Sequence, residues 1–597
     1  MPSYEAPVSD YRFLLSEVFD IASLTAYPGY EDAELDVLLS ALEEGGKFCQ
    51  EVLFPLNMPG DAEGCRWDAG RVTTPNGFPD AYRGFADAGW LGLACDPKWG
   101  GQGLPLTLRF AIDEMVYSAN LSFAMYPGLA LGVYEGLHAH GSEELQQLYL
   151  PRLVNGTWGG TMCLTEAHAG TDLGMTRTTA TPLDDGSYRV NGTKIFISAG
   201  EHDLTENIVH LVLARLPDAP SGTRGISMLL IPKFIPNADG SLGARNGVTC
   251  GSIEHKMGIR GSATCVLNFD DAVGWLVGEP NKGLRAMFTL MNAARLGVGL
   301  QGLGLAEVSY QNAVAYARER RQGRSLSGVK DPDAPADRII HHAEIRRGLL
   351  WMRGFVEGAR SLATWTAFQI DREIKHPDQS VRDEASDLVA LITPVVKAFF
   401  TDGAFTVTNI GLQTLGGHGY IREYGMEQYV RDARIGQIYE GTNYVQALDL
   451  VGRKLPEGDG RLFRRYLTLV QQEVTLAQRD AGLNTLVTPF VAAVDKLQKA
   501  AMHLTTGAMA GGDEVGVSAT DFLQLFGYVA IGHMWLRQAR IAREHLASGG
   551  VMPAAFYEAK VRTGRYFMQR MLPQTETLFA TLLSGAANVM EFDDSAW

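Results

Sequence analysis

One stretch constrains the fold of this chain more than any other: over residues 161–282 helical spacing stops and short β-branched runs take over. Tyr188-Arg-Val190, Lys194-Ile-Phe-Ile-Ser198, Ile208 to Leu213, Ile226 to Ile231 and Thr264 to Phe269 are separated by turn chemistry, and Asn191-Gly192 reads as a hairpin turn. Before this block Leu35, Leu38, Leu39, Leu42, Phe48, Val52 and Leu53 recur at helical spacing, and a Gly/Pro-rich loop follows at residues 96–105. After it, long patterns with few breakers over about 284–321, 337–374 and 380–412 predict an antiparallel bundle. Leu455-Pro-Glu-Gly-Asp-Gly460 interrupts the series, and three more helical patterns run to about residue 583. The expectation is an α+β multidomain chain: an N-terminal helical domain (1–160), a middle β-barrel-like domain (161–282), a helical bundle (283–455) and an additional C-terminal helical domain (456–597).

Charge and cysteine usage narrow the function classes. With 52 Lys+Arg against 68 Asp+Glu, a net −16, the 597 residues offer no broad basic face, so no nucleic-acid partner is expected. Six scattered cysteines with no CxxC pair fit free thiols in a reducing compartment and no structural zinc; no metal is expected. Asp10, Glu17 and Asp20 interrupt the first 22 residues, which argues against a signal peptide and for a cytoplasmic protein. The apolar run at 388–400 is short and broken by Pro394 and Lys397, so no membrane span is expected.

Several motifs have both a chemical and a bland reading. Gly297-Val-Gly-Leu-Gln-Gly302 matches GxGxxG, but no strand precedes it; within a helical pattern it reads as small residues for close helix packing. His341-His342 lacks further ligands at a metal-site spacing and reads as solvated helix residues. Met162-Cys-Leu-Thr-Glu-Ala-His-Ala-Gly-Thr-Asp172 is either a turn or a segment whose N–H and O–H groups face a ligand. Leu415-Gly-Gly-His-Gly-Tyr420 is either a helix C-cap or a loop that a bulky ligand enters. In Ile438-Tyr-Glu-Gly-Thr-Asn443 a lone carboxylate, Glu440, stands between an aromatic and a glycine.

Taken in order, these segments resemble the flavin-dependent acyl-CoA dehydrogenases over residues 80–455. The likeness includes the 97–104 loop, the 162–172 signature, residues 191–198, Lys256-Met-Gly-Ile-Arg-Gly-Ser-Ala-Thr264, Tyr316-Ala-Arg-Glu-Arg-Arg-Gln-Gly323, and residues 413–420 followed by 438–443. The resemblance implies non-covalent FAD between the β domain and the bundle, contacted by Met162, Leu164, Thr165, Gly170, Thr171, Phe196, Ser198 and Thr442. It places Arg320 and Gln322 at the FAD pyrophosphate of a neighbouring subunit, with Gln413, Gly416 and Gly417 near its adenosine part, and so implies a homodimer. Phe196 stands where relatives often carry Trp, Met162 where an aromatic is frequent, and Gly323 follows Gln322 where many place Phe.

The same resemblance makes Glu440 the base that removes the α-proton of an acyl-CoA while the β-carbon gives hydride to the flavin, with Thr171, Arg295, Glu440 and Gly441 at the substrate. Electrons then pass to electron-transfer flavoprotein. The opening Tyr4-Glu-Ala-Pro-Val-Ser-Asp-Tyr-Arg-Phe13 and the region after residue 455 look most like a long bacterial branch, which implies 3-methylmercaptopropionyl-CoA as substrate and methylthioacryloyl-CoA as product. The alternatives are a fatty acyl-CoA dehydrogenase of β-oxidation, an acyl-CoA oxidase that passes electrons to oxygen, and a non-catalytic acyl-CoA or flavin-binding scaffold. Retention of Glu440 between Tyr439 and Gly441 disfavours the scaffold.

Overall fold

A computed structural model describes residues 2–507 and 511–597. The chain forms two compact units: Phe48–Leu104 with Ala119–Gly297, and Met1–Lys47 with Pro105–Ser118 and Val298–Trp597. The helix Leu106–His140 passes from one to the other through a kink at Asn120, whose backbone is non-helical and whose side-chain oxygen accepts from Phe123 N–H (3.0 Å), restarting the helix as a cap.

The first unit is built on seven strands: β1 (Trp158–Cys163), β2 (Thr179–Pro182), β3 (Tyr188–Ser198), β4 (Asn207–Arg215), β5 (Ile226–Pro232), β6 (Val248–Ile253) and β7 (Thr264–Val277). Their order is β6-β7-β3-β2-β4-β1, and β5 pairs with both β7 and β4. Pairing thus returns on itself through β7, β3, β2, β4 and β5, which is the barrel-like middle sheet expected from the sequence. Val190, Ile197, Val212, Leu229, Ile231 and Leu267 fill its core. The reversal lies elsewhere than expected. Asn191 and Gly192 sit inside β3, where a Cβ on Gly192 would meet Thr178 Oγ1 at 2.4 Å and the Asn191 amide bonds Asp271. The β2–β3 turn is instead at Asp185-Gly186, with Gly186 at φ +84° and Leu183 N–H donating to Ser187 O.

The second unit is helical: α1 (Gly283–Glu319, from Val298 onward), α2 (Ala343–Lys375), α3 (Gln379–Leu415), α4 (Met426–Ile435), α5 (Asn443–Asp449), then α6 (Glu457–Ala477), α7 (Asn484–Gly507), α8 (Gly512–Ser548), α9 (Ala554–Tyr566) and α10 (Gln574–Leu582). The GxGxxG stretch lies in α1 and serves packing: a Cβ on Gly299 would meet Val396, and one on Gly302 the Phe400 carbonyl. Helix α2 starts later than the expected residue 337. The buried Asp337 carboxylate instead accepts backbone N–H bonds from Ser325, Lys330 and Asp331 and organises the preceding loop, so His341 and His342 belong to a turn before the helix.

The helices after residue 456 pack on the bundle. Phe399 fills the space a side chain at Gly527 would need, and Trp535 Nε1 donates to Gly354 O at 2.8 Å. Buried Arg360 bonds Asp10, Glu114 and Glu307, while Lys560 bonds Asp10 and Glu357, tying N-terminal segment, bundle and C-terminal helices through one charged cluster. Burial pushes the Asp10 carboxyl up, but Lys560 and Arg360 outweigh it and hold it below its ordinary value. Among the described residues, Gln379–Tyr420 and Gly512–Ser548 are long and apolar enough for a bilayer, yet 72% and 61% of their most apolar windows are buried within the chain. Their apolarity serves the core.

Candidate functional site

In the sheet unit, Met162 lies buried in β1, opposite Leu211 of β4. The segment after it is fixed by one buried ion pair. Lys194 of β3 donates to Glu166 (2.8 Å) and to Leu164 O (2.9 Å), Ile195 N–H donates to Thr165 O (2.9 Å), and Glu166 accepts further from Arg177 N–H, Thr178 N–H and Thr178 O–H. Burial pushes the Glu166 carboxyl up, but Lys194, Thr178 and Arg177 outweigh it and bring its pKa down to about 2. Leu164 and Thr165 are thereby half-buried in a rigid loop, while Gly170 and Thr171 emerge exposed, with no atom within 4 Å of where a Cβ on Gly170 would stand.

Phe196 sits at a break in the β3–β7 register, where the pairing steps from Leu267–Lys194 to Cys265–Ile197. Its φ is +59°, a conformation that costs an L-residue about 1–2 kcal/mol, and the bulge leaves the ring 60% exposed. Ser198 follows, its carbonyl accepting from Thr161 O–H at 2.7 Å. A strained, exposed aromatic beside a pinned backbone loop is a flat apolar platform with polar edges. Arg295, expected at the substrate, is 5% exposed, bonds Asn292 Oδ1 (3.4 Å) and lies over the Phe288 ring (6.0 Å). It is an interior residue.

In the helical unit, Glu440 (φ +55°) and Gly441 (φ +82°) form a left-handed turn ahead of α5. Thr442 caps that helix, its Oγ1 accepting from Val445 N–H (3.3 Å), so its O–H stays available as a donor. Fully buried Lys397 of α3 donates to Gly441 O (2.7 Å) and Asn443 Oδ1 (2.8 Å). Asn443 N–H donates to Gln437 O (3.1 Å), and the Asp402 carboxylate receives the side-chain amides of Gln437 and Asn443, both at 2.7 Å. Burial lifts the Asp402 carboxyl above its ordinary value despite these donors. Gln446 Nε2 donates to Glu440 O (3.1 Å), and Tyr439 O–H donates to Gln301.

Arg320 and Gln322 follow α1, both exposed; Gln322 O accepts from His342 Nε2 (2.8 Å), and among the described residues no side chain pairs with the Arg320 guanidinium. Gln413 is exposed near the end of α3, which closes at Gly416 (φ +60°, ψ −135°), so the C-cap reading holds as local structure. Gly416 and Gly417 are exposed, with nothing within 4 Å of a prospective Cβ. His418 fastens the segment: Nδ1 is 2.8 Å from Tyr316 Oη and the ring stacks on Tyr424. Sequence reasoning missed Glu166, Lys194, Lys397, Asp402 and Asn443 as positioning groups. A charged residue inside an apolar run, such as Lys397, was the available signal.

The whole arrangement follows known proteins in order. Family models match at residues 62–157 (acyl-CoA dehydrogenase, N-terminal domain), 161–272 (middle domain), 281–455 (C-terminal domain) and 466–593 (acetyl-CoA dehydrogenase C-terminal like). The 3-methylmercaptopropionyl-CoA dehydrogenase of Ruegeria pomeroyi is 42% identical over 571 residues, 96% of each chain. The chain belongs to the acyl-CoA dehydrogenase family. A broad-specificity linear acyl-CoA dehydrogenase of Mycobacterium tuberculosis, FadE5, is 34% identical over the full length of both chains. A crystal structure of an acyl-CoA dehydrogenase from Bacillus anthracis complexed with FAD has the same fold, with a TM-score of 0.73 at 22% identity, covering 97% of this chain and 92% of that one. This acyl-CoA dehydrogenase is therefore an oxidoreductase acting on acyl-CoA thioesters.

Proposed function

We propose that this acyl-CoA dehydrogenase converts 3-methylmercaptopropionyl-CoA to methylthioacryloyl-CoA with non-covalent FAD, as a cytoplasmic homodimer that passes its electrons to electron-transfer flavoprotein. The observation that carries the substrate is the 42% identity, across 96% of both chains, to a dehydrogenase of that thioester. The residues fit a flavin dinucleotide: an exposed Phe196 ring offers a stacking platform, Gly170, Gly416 and Gly417 leave open backbone, and Arg320 carries a guanidinium that is unpaired among the described residues.

In the sheet unit, Met162, Leu164, Thr165, Gly170, Thr171, Phe196 and Ser198 would hold the flavin side of the cofactor. In the helical unit, Thr442 would donate to it, while Arg320 and Gln322 would reach the pyrophosphate, and Gln413, Gly416 and Gly417 the adenosine part, of the neighbouring subunit's cofactor. When bound, FAD supplies the acceptor for the hydride leaving the β-carbon. Glu440 takes the α-proton onto its carboxylate. Its backbone N–H would donate to the thioester oxygen, acidifying that proton, and the acyl chain covering the carboxylate raises its proton affinity. Thr171 and Gly441, with Arg295 from its buried position, would complete the substrate contacts.

A thioether replaces a methylene with little change of shape, and an apolar pocket separates such neighbours by only about 1–3 kcal/mol. Short and medium straight-chain thioesters should therefore be accepted too. The test is kcat/KM with an artificial electron acceptor for methylmercaptopropionyl-, butyryl-, hexanoyl-, octanoyl- and palmitoyl-CoA. A preference for palmitoyl-CoA above about a hundredfold overturns the substrate assignment; rapid oxygen consumption without acceptor makes the enzyme an oxidase.

A further inference from the structure

The helices after residue 456 carry none of the residues proposed at flavin or substrate, yet one of them reaches the turn that carries Glu440. Gln524 of α8 donates from Nε2 to Asp402 Oδ2 at 2.6 Å. The other oxygen of the same carboxylate, Oδ1, accepts from Gln437 Nε2 and Asn443 Nδ2, both at 2.7 Å. Gln437 and Asn443 stand three residues before and three after Glu440, and the Asn443 N–H to Gln437 O bond (3.1 Å) closes the loop between them. A second contact runs in parallel, from Tyr444 O–H to Gly516 O at 3.3 Å.

The division of donors between the two oxygens matters. A carboxylate turns about its Cβ–Cγ bond, and that rotation moves both oxygens, so the two donors on Oδ1 resist it. The third donor, on Oδ2, adds a restraint from the opposite side, and rotation then breaks bonds at both oxygens at once. Lys397 holds the turn from α3 through Gly441 O and Asn443 Oδ1, and Gln524 holds it from α8 through Asp402. Both braces act on Asn443.

We propose that Gln524 is a positioning residue for the dehydrogenation: by locking the Asp402 carboxylate it fixes Gln437 and Asn443, and so keeps Glu440 in reacting register. The C-terminal helices are then part of the catalytic frame. The inference rests on Glu440 being the base.

The test uses the full-length FAD-loaded enzyme with Gln524→Met and Gln524→Ala, which remove the donor, and Gln524→Lys, which restores one. Either loss variant suffices if the other fails to fold. Four quantities are read: the anaerobic rate of flavin reduction by butyryl-CoA, the Kd for that thioester, Tm, and amide hydrogen exchange over residues 437–446. The donor-less variants should reduce flavin about tenfold more slowly, since small misplacements of a reacting group cost that much or more. Kd should stay within about twofold and Tm within a few degrees, exchange over 437–446 should rise, and Gln524→Lys should recover most of the rate. A wild-type rate in both loss variants overturns the proposal, as does a rate loss matched by lower Tm and FAD content, or one that Lys does not relieve. Glu440→Gln is run alongside. If it still reduces flavin, the base assignment fails; if it is silent while both loss variants are normal, only the role of Gln524 fails.

Discussion

Two glycine-containing segments of the helical unit make opposite use of their surroundings. The turn from Gln437 to Asn443 is bonded from within by Lys397, Asp402 and Gln446, so the strained backbone at Glu440 and Gly441 is over-determined. Among the described residues the segment from Gly416 to Tyr420 has one side-chain fastening, His418, and it leaves Gly416, Gly417 and Tyr420 exposed, the last by 82%. The first segment is finished by the chain itself, as the proposed role of Glu440 as a base placed to within a fraction of an ångström requires. The second leaves its backbone open, as its proposed role at the cofactor requires. In the sheet unit the Leu164–Thr165 backbone belongs to the finished class, because Lys194 and Glu166 hold it.

The largest expected effect falls on the finished turn. Lys397→Met takes the shortest donor from Gly441 O and Asn443 Oδ1 in a buried place and leaves them only the longer bonds from Gln446 (3.4 Å) and Thr401 (3.3 Å), so stability should drop by about 2–4 kcal/mol and flavin reduction by at least about a hundredfold. Urea unfolding and stopped-flow absorbance measure the two. Intact stability would move this turn into the open class.

Next is the loop held by Glu166. Its folded pKa of about 2 lies below the unfolded value of 4.5, so its contribution to stability is complete above that unfolded value and is lost as pH falls toward 2. Glu166→Gln should therefore be clearly less stable than wild type at pH 7 and approach it near pH 3. Equal stability at pH 7 would show that the ion pair holds nothing.

Smaller effects, confined to cofactor retention, are expected on the open side. Arg320→Ala should weaken FAD binding by about tenfold or more with apo-protein Tm unchanged, since a charge-assisted contact is lost while, among the described residues, no internal partner is. An unchanged FAD affinity across a dilution series removes Arg320 from the site. The smallest effect is Gly417→Ala: with free space around the new methyl, folding should change by less than about 0.5 kcal/mol, so a few-fold loss of FAD reads ligand proximity alone. If FAD binding is also unmoved, the segment faces no cofactor.

The order of helical, β and helical regions was legible because hydrophobic period reports local structure directly. Asn191-Gly192 misled because a dipeptide that favours a turn also suits a strand interior where Thr178 crowds the backbone and the Asn191 side chain both donates to Asp271 Oδ1 and accepts from Asp271 N–H. The expected helix start at residue 337 failed for a similar reason, since Asp337 is committed to three backbone donors upstream. The segments around Glu440 and around Gly416 could be read as motifs, but their supports could not. Lys397 showed itself as a charge in an apolar run and was weighed only against a membrane span. Gln524 lies 122 positions from Asp402 and carries no local mark at all.

Glu440→Gln tests the central claim most directly. The amide keeps shape and hydrogen bonding but accepts no proton, so the FAD-loaded variant, mixed anaerobically with methylmercaptopropionyl-CoA, should bind the thioester with near wild-type affinity and leave the flavin oxidised. Bleaching at close to the wild-type rate would place the base elsewhere and undo the account of the turn built around it.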